Sequence, residues 1–276
     1  MQFRTDLAME ATTDAAVKKQ HVEGMELCFL DLTPEAAVSI GKSAGRYITA
    51  TLPPLTDDEN ELEKKAVVLG DQLRRLLPES GSVLVVGLGN EAITPDALGP
   101  RCASMVLATR HIRGEFARSV GLDDLRSTVV LKPDVLGNTG MESSEIVIGV
   151  CRVVKPAAVI AVDALAARSV ARLGCTVQLS DTGISPGSGV GNNRKALNRE
   201  ILQLPVIGVG VPTVVDAGTL VRDLTGGQSV STGTEMMVTP REIDLMIARA
   251  ARLLAMTIHA ALQPTYSPLE LLSIAL

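Results

Sequence analysis

Aromatic residues make up only 2% of this 276-residue chain, and tryptophan is absent. Its core must therefore be packed from Val, Ile, Leu, Ala and Met, which the 46% hydrophobic content supplies. Histidine is nearly as scarce, with three copies. Being so few and scattered, they argue against a His-dependent triad and against a zinc site. The four cysteines, Cys28, Cys102, Cys151 and Cys175, show no CxxC or Cys/His spacing and read as reduced, largely buried thiols. No GxSxG elbow, HExxH helix or phosphate-binding P-loop occurs. Basic surplus is missing too: a net charge of −5 argues against a broad nucleic-acid surface. The apolar stretches Ile201–Val215 and Leu253–Leu269 are interrupted by Pro205 and Pro212 and by Pro264 and Pro268, short of an unbroken membrane span. The N-terminal MQFRTDLAME carries acids and no apolar centre, so no secretory signal is expected and the reading is cytoplasmic.

What is present is organised around Val83–Pro100, VLVVGLGNEAITPDALGP. Val83–Val86 is a β-branched apolar run suited to a strand buried on both faces of a parallel sheet. Gly87, Gly89 and Asn90 allow a tight turn. Thr94-Pro95-Asp96 then reads as a helix start, with a hydroxyl cap, Pro at the first helical position and an acid in the first turn. This places Asp96 near the carboxyl end of the strand, the edge at which open α/β sheets bind ligands. GLGN lacks the third glycine of a dinucleotide fingerprint, so it does not indicate NAD.

In chain order, residues 1–24 are polar and poorly periodic and read as a mobile arm. Met25–Leu32 reads as a strand, Thr33-Pro34-Glu35 as a helix start closed by Gly41 and Gly45, and Arg46–Thr49 as a second strand. A helix over Asp57–Leu77 carries Leu62, Ala66, Leu69, Leu73 and Leu76 on one stripe. The helix after Asp96 is expected to run from Ala97 to Arg113, with His111 near its end as a structural residue. Ser127–Leu131, Ala157–Val162, Val177–Leu179 and Val206–Val211 read as strands, the last closed by Pro212. Lys132–Glu142 is a glycine loop, Ser143–Val154 a helix, and Ser180–Asn193 a long glycine-rich loop of the kind that carries function or moves. Gly218–Thr234 is expected to be exposed. Thr239-Pro240-Arg241-Glu242 reads as a capping box opening a long apolar helix in which His259 packs. Strands alternating with helices, without repeats or a domain boundary, predict one α/β domain over 1–276: three α/β/α layers on a mainly parallel, twisted sheet.

Asp96 and Asp163, each beyond an apolar strand, are the acids best placed for chemistry. Two carboxylates brought together can share a proton, one acting as base toward water and the other as acid toward the carbonyl or leaving amine. Asp181-Thr182-Gly183 and Asp216-Ala217-Gly218 imitate the loops of pepsin-like proteases, but they sit in an α/β pattern and too close in sequence for two β lobes.

The wording of several segments resembles the germination proteases, the spore endopeptidases that degrade small acid-soluble spore proteins. The segments are RTDLAME (Arg4–Glu10), GRYIT (Gly45–Thr49), LVVGLGNEAITPDALGP (Leu84–Pro100), TRHI (Thr109–Ile112), TGME (Thr139–Glu142), AVDALAARS (Ala161–Ser169), QLSDTGISPGSGVGNNRK (Gln178–Lys195), PVIGVGVPTVVDA (Pro205–Ala217) and VTPREID (Val238–Asp244). The resemblance implies a fold similar to the hydrogenase-maturation proteases. It also implies a zymogen that removes its own propeptide, and cleavage of DNA-protecting spore proteins at germination. By family likeness Asp96 and Asp163 are the catalytic pair of an atypical aspartic endopeptidase, with no cofactor and no metal. The self-cleaved bond would be Asp6–Leu7, releasing a propeptide 1–6 and leaving 7–24 as the arm, which would occupy the cleft before processing. The same likeness implies a homotetramer in the forming spore and spore core, with spore proteins and itself as substrates and neither nucleic acid nor membrane as a direct partner. Set against the family, the propeptide is short, the region Gly218–Met237 lacks a long insertion, and Asp134 stands where Gly is common. Asp134 reads as a loop acid rather than a third cleft acid, and Glu142 as a weaker site candidate. Two competing readings are a metal-assisted peptidase of the same fold and a non-catalytic module that binds spore proteins.

Overall fold

The structure, a computed structural model, describes residues 5–12, 17–57, 61–112, 114–119, 121–185, 195–226 and 236–276. A 3-10 turn at Ala8–Glu10 comes first. Strands β1 (Lys18–Val22) and β2 (Met25–Leu32) follow as a hairpin. Glu23 and Gly24, both at positive φ, form its two-residue turn, the backbone handedness that matches strand twist. Helix α1 (Pro34–Ile40) starts as its sequence dictates: Thr33 Oγ1 accepts from the Ala36 N–H, Pro34 opens the first turn, and Gly41 at φ 66° closes it. Then come β3 (Gly45–Thr51), α2 (Leu62–Leu76), β4 (Val83–Gly87), a 3-10 turn at Thr94–Asp96, α3 (Leu98–Ser104), α4 (Gly114–Ser119), β5 (Thr128–Leu131), α5 (Leu136–Thr139) and α6 (Ser143–Val154). The chain continues through β6 (Ala158–Ala167), β7 (Thr176–Ser180), α7 (Arg199–Leu202), β8 (Val206–Asp216), α8 (Ala217–Leu224), β9 (Met237–Val238), α9 (Ile243–Leu262) and α10 (Pro268–Ala275).

One sheet runs β1-β2-β3-β7-β8-β6-β4-β5, with β9 paired to β8. Strands β8, β6, β4 and β5 are mutually parallel; β1, β2, β3 and β7 are added antiparallel on one side. Alternate residues of the central strands serve opposite layers. Val83, Val85 and Ile160 pack with Leu69 and Leu73 of α2 and Leu254 and Ile258 of α9. Leu84, Val86 and Val159 face Val147 of α6 and Leu202 of α7. This is the expected α/β/α class, with parallel strands buried on both faces at its centre.

Several elements depart from the sequence reading. Strand β1 and the turn at Ala8–Glu10 lie inside the stretch read as a mobile arm. Helix α3 ends at Ser104 rather than Arg113, leaving His111 in a loop. Its would-be helical donors are taken from outside: the Leu107 N–H bonds His259 Nε2 at 3.0 Å, and the Thr109 and Arg110 N–H groups both reach Thr128 O. Thr94 makes no side-chain cap. Thr239 does not cap α9 either, because its hydroxyl donates to Thr213 O. Strand β8 is not closed by Pro212 but runs through it to Asp216. The register against β6 shifts between Leu165 and Ala166, and such a bulge accommodates a residue without an N–H. Likewise β6 continues past Val162, so Asp163 lies within the strand. Helix α9 is, by length and composition alone, long and apolar enough to cross a membrane, although the sequence runs looked interrupted; fourteen of its twenty residues are buried in this fold. Parts of the expected helix from Asp57 (58–60), of the long glycine loop (186–193) and of the Gly218–Thr234 region (227–234) lie outside the described residues.

Candidate active site

The chain leaves β4 toward β5 on one side and returns to β6 on the other, so β4 and β6 flank the point where strand order reverses. Crevices form at the carboxyl edge of such a point. The last β4–β6 pairing is Gly87 with Val162, and the Leu88 N–H donates to Val162 O at 2.8 Å. Asp163 is the next residue of β6, just past the place where β4 turns away. Its side chain is buried, 4% exposed, and Oδ1 accepts from the Ala164 N–H at 2.9 Å.

Asp96 belongs to the same edge, in the 3-10 turn after β4. Its Oδ2 accepts from the Asn90 N–H at 2.7 Å, so the glycine turn wraps this half-buried carboxylate. Gly89 sits at φ 114°, and a methyl there would collide with Asp96 O, which explains why the turn needs glycine. The Thr213 hydroxyl donates to Pro95 O at 2.8 Å and ties this turn to β8.

A cleft of about 350 Å³ opens over β6, β7 and β8. Asp163, Gln178, Ser180, Gly208, Gly210, Lys42 and Asp6 are among its lining residues. The cleft therefore brings together Asp163 and Asp6. Asp96 is not among the lining residues; it reaches the same sheet edge from the β4 side. Glycines on β8 keep the floor low: a methyl on Gly210 would strike Asp163 O and the Leu165 side chain.

The N-terminal segment enters this cleft at Asp6, with Leu7 in extended backbone before the 3-10 turn at Ala8–Glu10. The Asp6 N–H donates to Ala166 O, and Asp6 Oδ2 accepts from the Ala166 N–H, both at 2.8 Å. Leu7 is fully buried among Leu165, Ala167 and Val215, with Leu173, Ile184 and Val238 around them. Ala8 packs with Leu30, Leu32, Ala37 and Tyr47. The Gln178 side chain holds the segment at both ends of Leu7: Nε2 donates to Asp6 O at 3.1 Å, and Oε1 accepts from the Ala8 N–H at 2.8 Å. Glu10 accepts from the Arg168 and Ser169 N–H groups at 2.7 and 2.9 Å. Lys42 donates to Thr5 O; burial lowers its pKa, against the opposing pull of the Asp6 and Glu10 carboxylates. Arg4, the first residue of RTDLAME, lies outside the described residues.

The other sequence candidates have structural work. Asp134, at φ 61°, accepts from the Val135 N–H and from Asn138 Nδ2, as a turn acid does. Glu142 precedes α6, its N–H bonded to the Glu145 carboxylate at 3.2 Å. Asp181 accepts from the Arg46 N–H, and Asp216 caps α8 by accepting from the Thr219 N–H. His259 is buried, and burial pushes its pKa down to about 4. Among the described residues no three His, Cys, Asp or Glu side chains group as metal ligands. Sequence reading assigned no role to Gln178 or Lys42. The signal for Gln178 was its place on the polar face of a strand, with Thr176 and Ser180 and opposite the apolar Val177 and Leu179.

The molecule is a mixed α/β sheet with a buried aspartate level with the end of β4 and the chain's own N-terminal segment held beside it. The chain belongs to the germination protease family, a peptidase family whose profile matches residues 2–226. The germination protease of Caldanaerobacter subterraneus subsp. tengcongensis is 39% identical over 98% of this chain and 97% of that protein. That of Clostridium acetobutylicum is 36% identical over 95% of both. That of Priestia megaterium is 41% identical over 80% of this chain, which spans 65% of that relative's length. Among solved structures, a NiFe hydrogenase maturation protease from Thermococcus kodakarensis aligns with 68% of this chain and 98% of its own, at 18% identity and a TM-score of 0.38.

Proposed function

We propose that this chain is an endopeptidase that begins the degradation of small acid-soluble, DNA-protecting spore proteins at germination, after cutting its own Asp6–Leu7 bond. The observation that carries this reading is the seating of that bond: Asp6 lines the cleft with Asp163, and Leu7 fills a closed apolar pocket. An acid followed by an apolar residue is the pattern the cleft accommodates from its own chain. A spore protein presenting that pattern would take the same place once the N-terminal segment had been released. Until then the segment blocks the cleft, which accounts for a zymogen.

The chemistry we assign is water attack on the Asp6 carbonyl, assisted by Asp163 and Asp96. One carboxylate takes a proton from water, and the other, protonated, supplies one to the departing amine. Their placement on either side of the β4–β6 reversal supports the pairing. The working form is a homotetramer of the forming spore and spore core.

The test is self-cleavage of the full chain beside its Asp163→Asn variant, followed by intact-mass spectrometry, and then cleavage of a purified small acid-soluble spore protein. Loss of residues 1–6 by the parent, and a rate lower by about 10²–10⁴-fold in a variant with unchanged melting, is expected for loss of a proton-transferring carboxylate. Equal rates would move the chemistry away from Asp163. Tight binding of the spore protein without cleavage by either chain would overturn the enzyme reading.

A further inference from the structure

The carbonyl oxygen that Gln178 holds is the oxygen of the Asp6–Leu7 peptide bond. We infer that the Gln178 side-chain amide is a catalytic residue, the donor that receives negative charge on this oxygen during cleavage. The inference rests on Asp6–Leu7 being the bond that is cut.

The geometry is suited to the role. Gln178 is 7% exposed and stands on β7, whose backbone is paired with Thr49 of β3 on one side and Gly210 of β8 on the other. A side chain rooted between two paired strands has little freedom to withdraw. Its orientation is fixed by its two partners: Oε1 takes the Ala8 N–H, which leaves Nε2 facing Asp6 O. The reversed amide would set oxygen against oxygen and N–H against N–H. The amide is neutral, so it offers the same donor across the working pH range. The nitrogen side of the bond is also held, since the Leu7 N–H donates to Thr5 Oγ1 at 3.1 Å.

The step balances with water as the co-reactant. The water oxygen bonds to the Asp6 carbonyl carbon and gives a proton to a carboxylate. The carbonyl π pair moves onto the oxygen that Nε2 holds. When that pair returns, the bond to the Leu7 nitrogen breaks and the nitrogen takes a proton. The products are the Asp6 α-carboxylate and a free Leu7 amine. A preorganised donor matters most on the charged intermediate, and removing one such donor typically slows the reaction about 10²–10³-fold.

A clamp that only positions Leu7 would make the same two hydrogen bonds, so the test must separate holding from polarising. The full chain and its Gln178→Ala and Gln178→Glu variants are followed by intact mass from pH 5 to 8, while hydrogen exchange at Leu7–Glu10 reports docking of the segment. If the parent chain does not cut at Asp6–Leu7, the underlying reading fails and the inference with it. If it does, Gln178→Ala is expected to cut about 10²–10³-fold more slowly with exchange protection kept. Glutamate keeps an acceptor for the Ala8 N–H but donates only when protonated. The Gln178→Glu rate, relative to the parent, should therefore rise as pH falls. That relative profile decides the matter even if Gln178→Ala does not fold. Parent-like cutting by Gln178→Ala, a flat relative profile for Gln178→Glu, or a rate loss matched by loss of protection each overturns the inference while leaving Asp6–Leu7 as the cut bond.

Discussion

The two halves of the sheet differ in what covers them. Strands β4, β6 and β8 are buried almost without break, with helices on both faces. The antiparallel half thins outward: β3 is mostly buried, β2 alternates, and β1 is exposed along nearly its whole length. The parallel half is a frame, its backbone fixed by close packing. The antiparallel half is an extension that brings Gln178, Ser180 and the loop holding Lys42 across from Asp163. The cleft lies over the seam, where β7 meets β8. Precision comes from one side and access from the other.

The sharpest way to break this division is to loosen the frame. Helix α3 lies so close to β4 and β6 that a methyl on Gly99 would collide with the carbonyl oxygens of Leu88 and Val162. Neither backbone can retreat without disturbing the strand pairing, so Gly99→Ala is expected to cost about 3 kcal/mol or more. Thermal melting would show it, with Gly137→Ala as control. No atom lies within 4 Å of the methyl that Gly137→Ala adds, and that variant is expected to melt near the parent.

The frame also carries a pH liability. His259 on α9 accepts from the Leu107 N–H at Nε2, and Nδ1 faces Pro268 O at 3.4 Å, the arrangement of a neutral ring. Its folded pKa is about 4 against an ordinary 6.5. Above pH 6.5 the ring is neutral in both states. Below it the unfolded chain takes a proton that the folded one refuses, so stability falls as pH drops from 6.5 toward 4. Linkage puts the loss between pH 7 and pH 5 at about 2 kcal/mol. Urea denaturation at both values should show His259→Gln losing about that much less than the parent. Parallel losses would mean that the ring titrates normally.

On the seam itself the expected effect is local. Leu7→Ala empties part of the pocket formed by Leu165, Ala167 and Val215. Buried Leu→Ala changes start at about 2 kcal/mol. The segment is expected to leave while the sheet stays folded, so the cost should appear as faster hydrogen exchange over Asp6–Glu10 with little change in melting. A drop in melting temperature of the size expected for Gly99→Ala would show that the segment belongs to the frame after all.

The same division governs what could be read from the sequence. Helix α1 was legible because Thr33, Pro34 and Gly41 act within one turn of the helix they bound. The runs at Val83 and Ala158 were legible because burial on both faces leaves a continuous apolar signature. Asp96 could be placed just past the end of β4 from its run alone, whereas Asp163, read as following its strand, lies inside β6 one residue past the last pairing with β4. The end of α3 could not be found locally, since its backbone donors are claimed by Thr128 and by His259 some 150 residues away. Nor could the passage of β8 through Pro212, which depends on a bulge against β6. Gln178 was the hardest, because its partners Asp6 and Ala8 lie about 170 residues earlier and meet it only once β7 is set beside β8.

The smallest effect is expected at Asp134, on the frame's outer edge after β5. Two roles were open for this acid: a third carboxylate at the cleft, or a turn residue. The structure gives it the geometry of a turn, with positive φ, an acceptor bond from the Val135 N–H at 2.7 Å and Asn138 Nδ2 at 3.0 Å. Asparagine adopts positive φ almost as readily and keeps one acceptor oxygen for the Val135 N–H. Asp134→Asn should therefore change stability by no more than about 0.5 kcal/mol, in the range of ordinary surface changes. Cleavage should stay within about threefold of the parent, where loss of a proton-transferring acid would cost at least about 100-fold. A kinetic loss of that larger size with unchanged melting would bring Asp134 into the cleft's chemistry, and the frame would then contribute an acid from β5 as well as from β4 and β6.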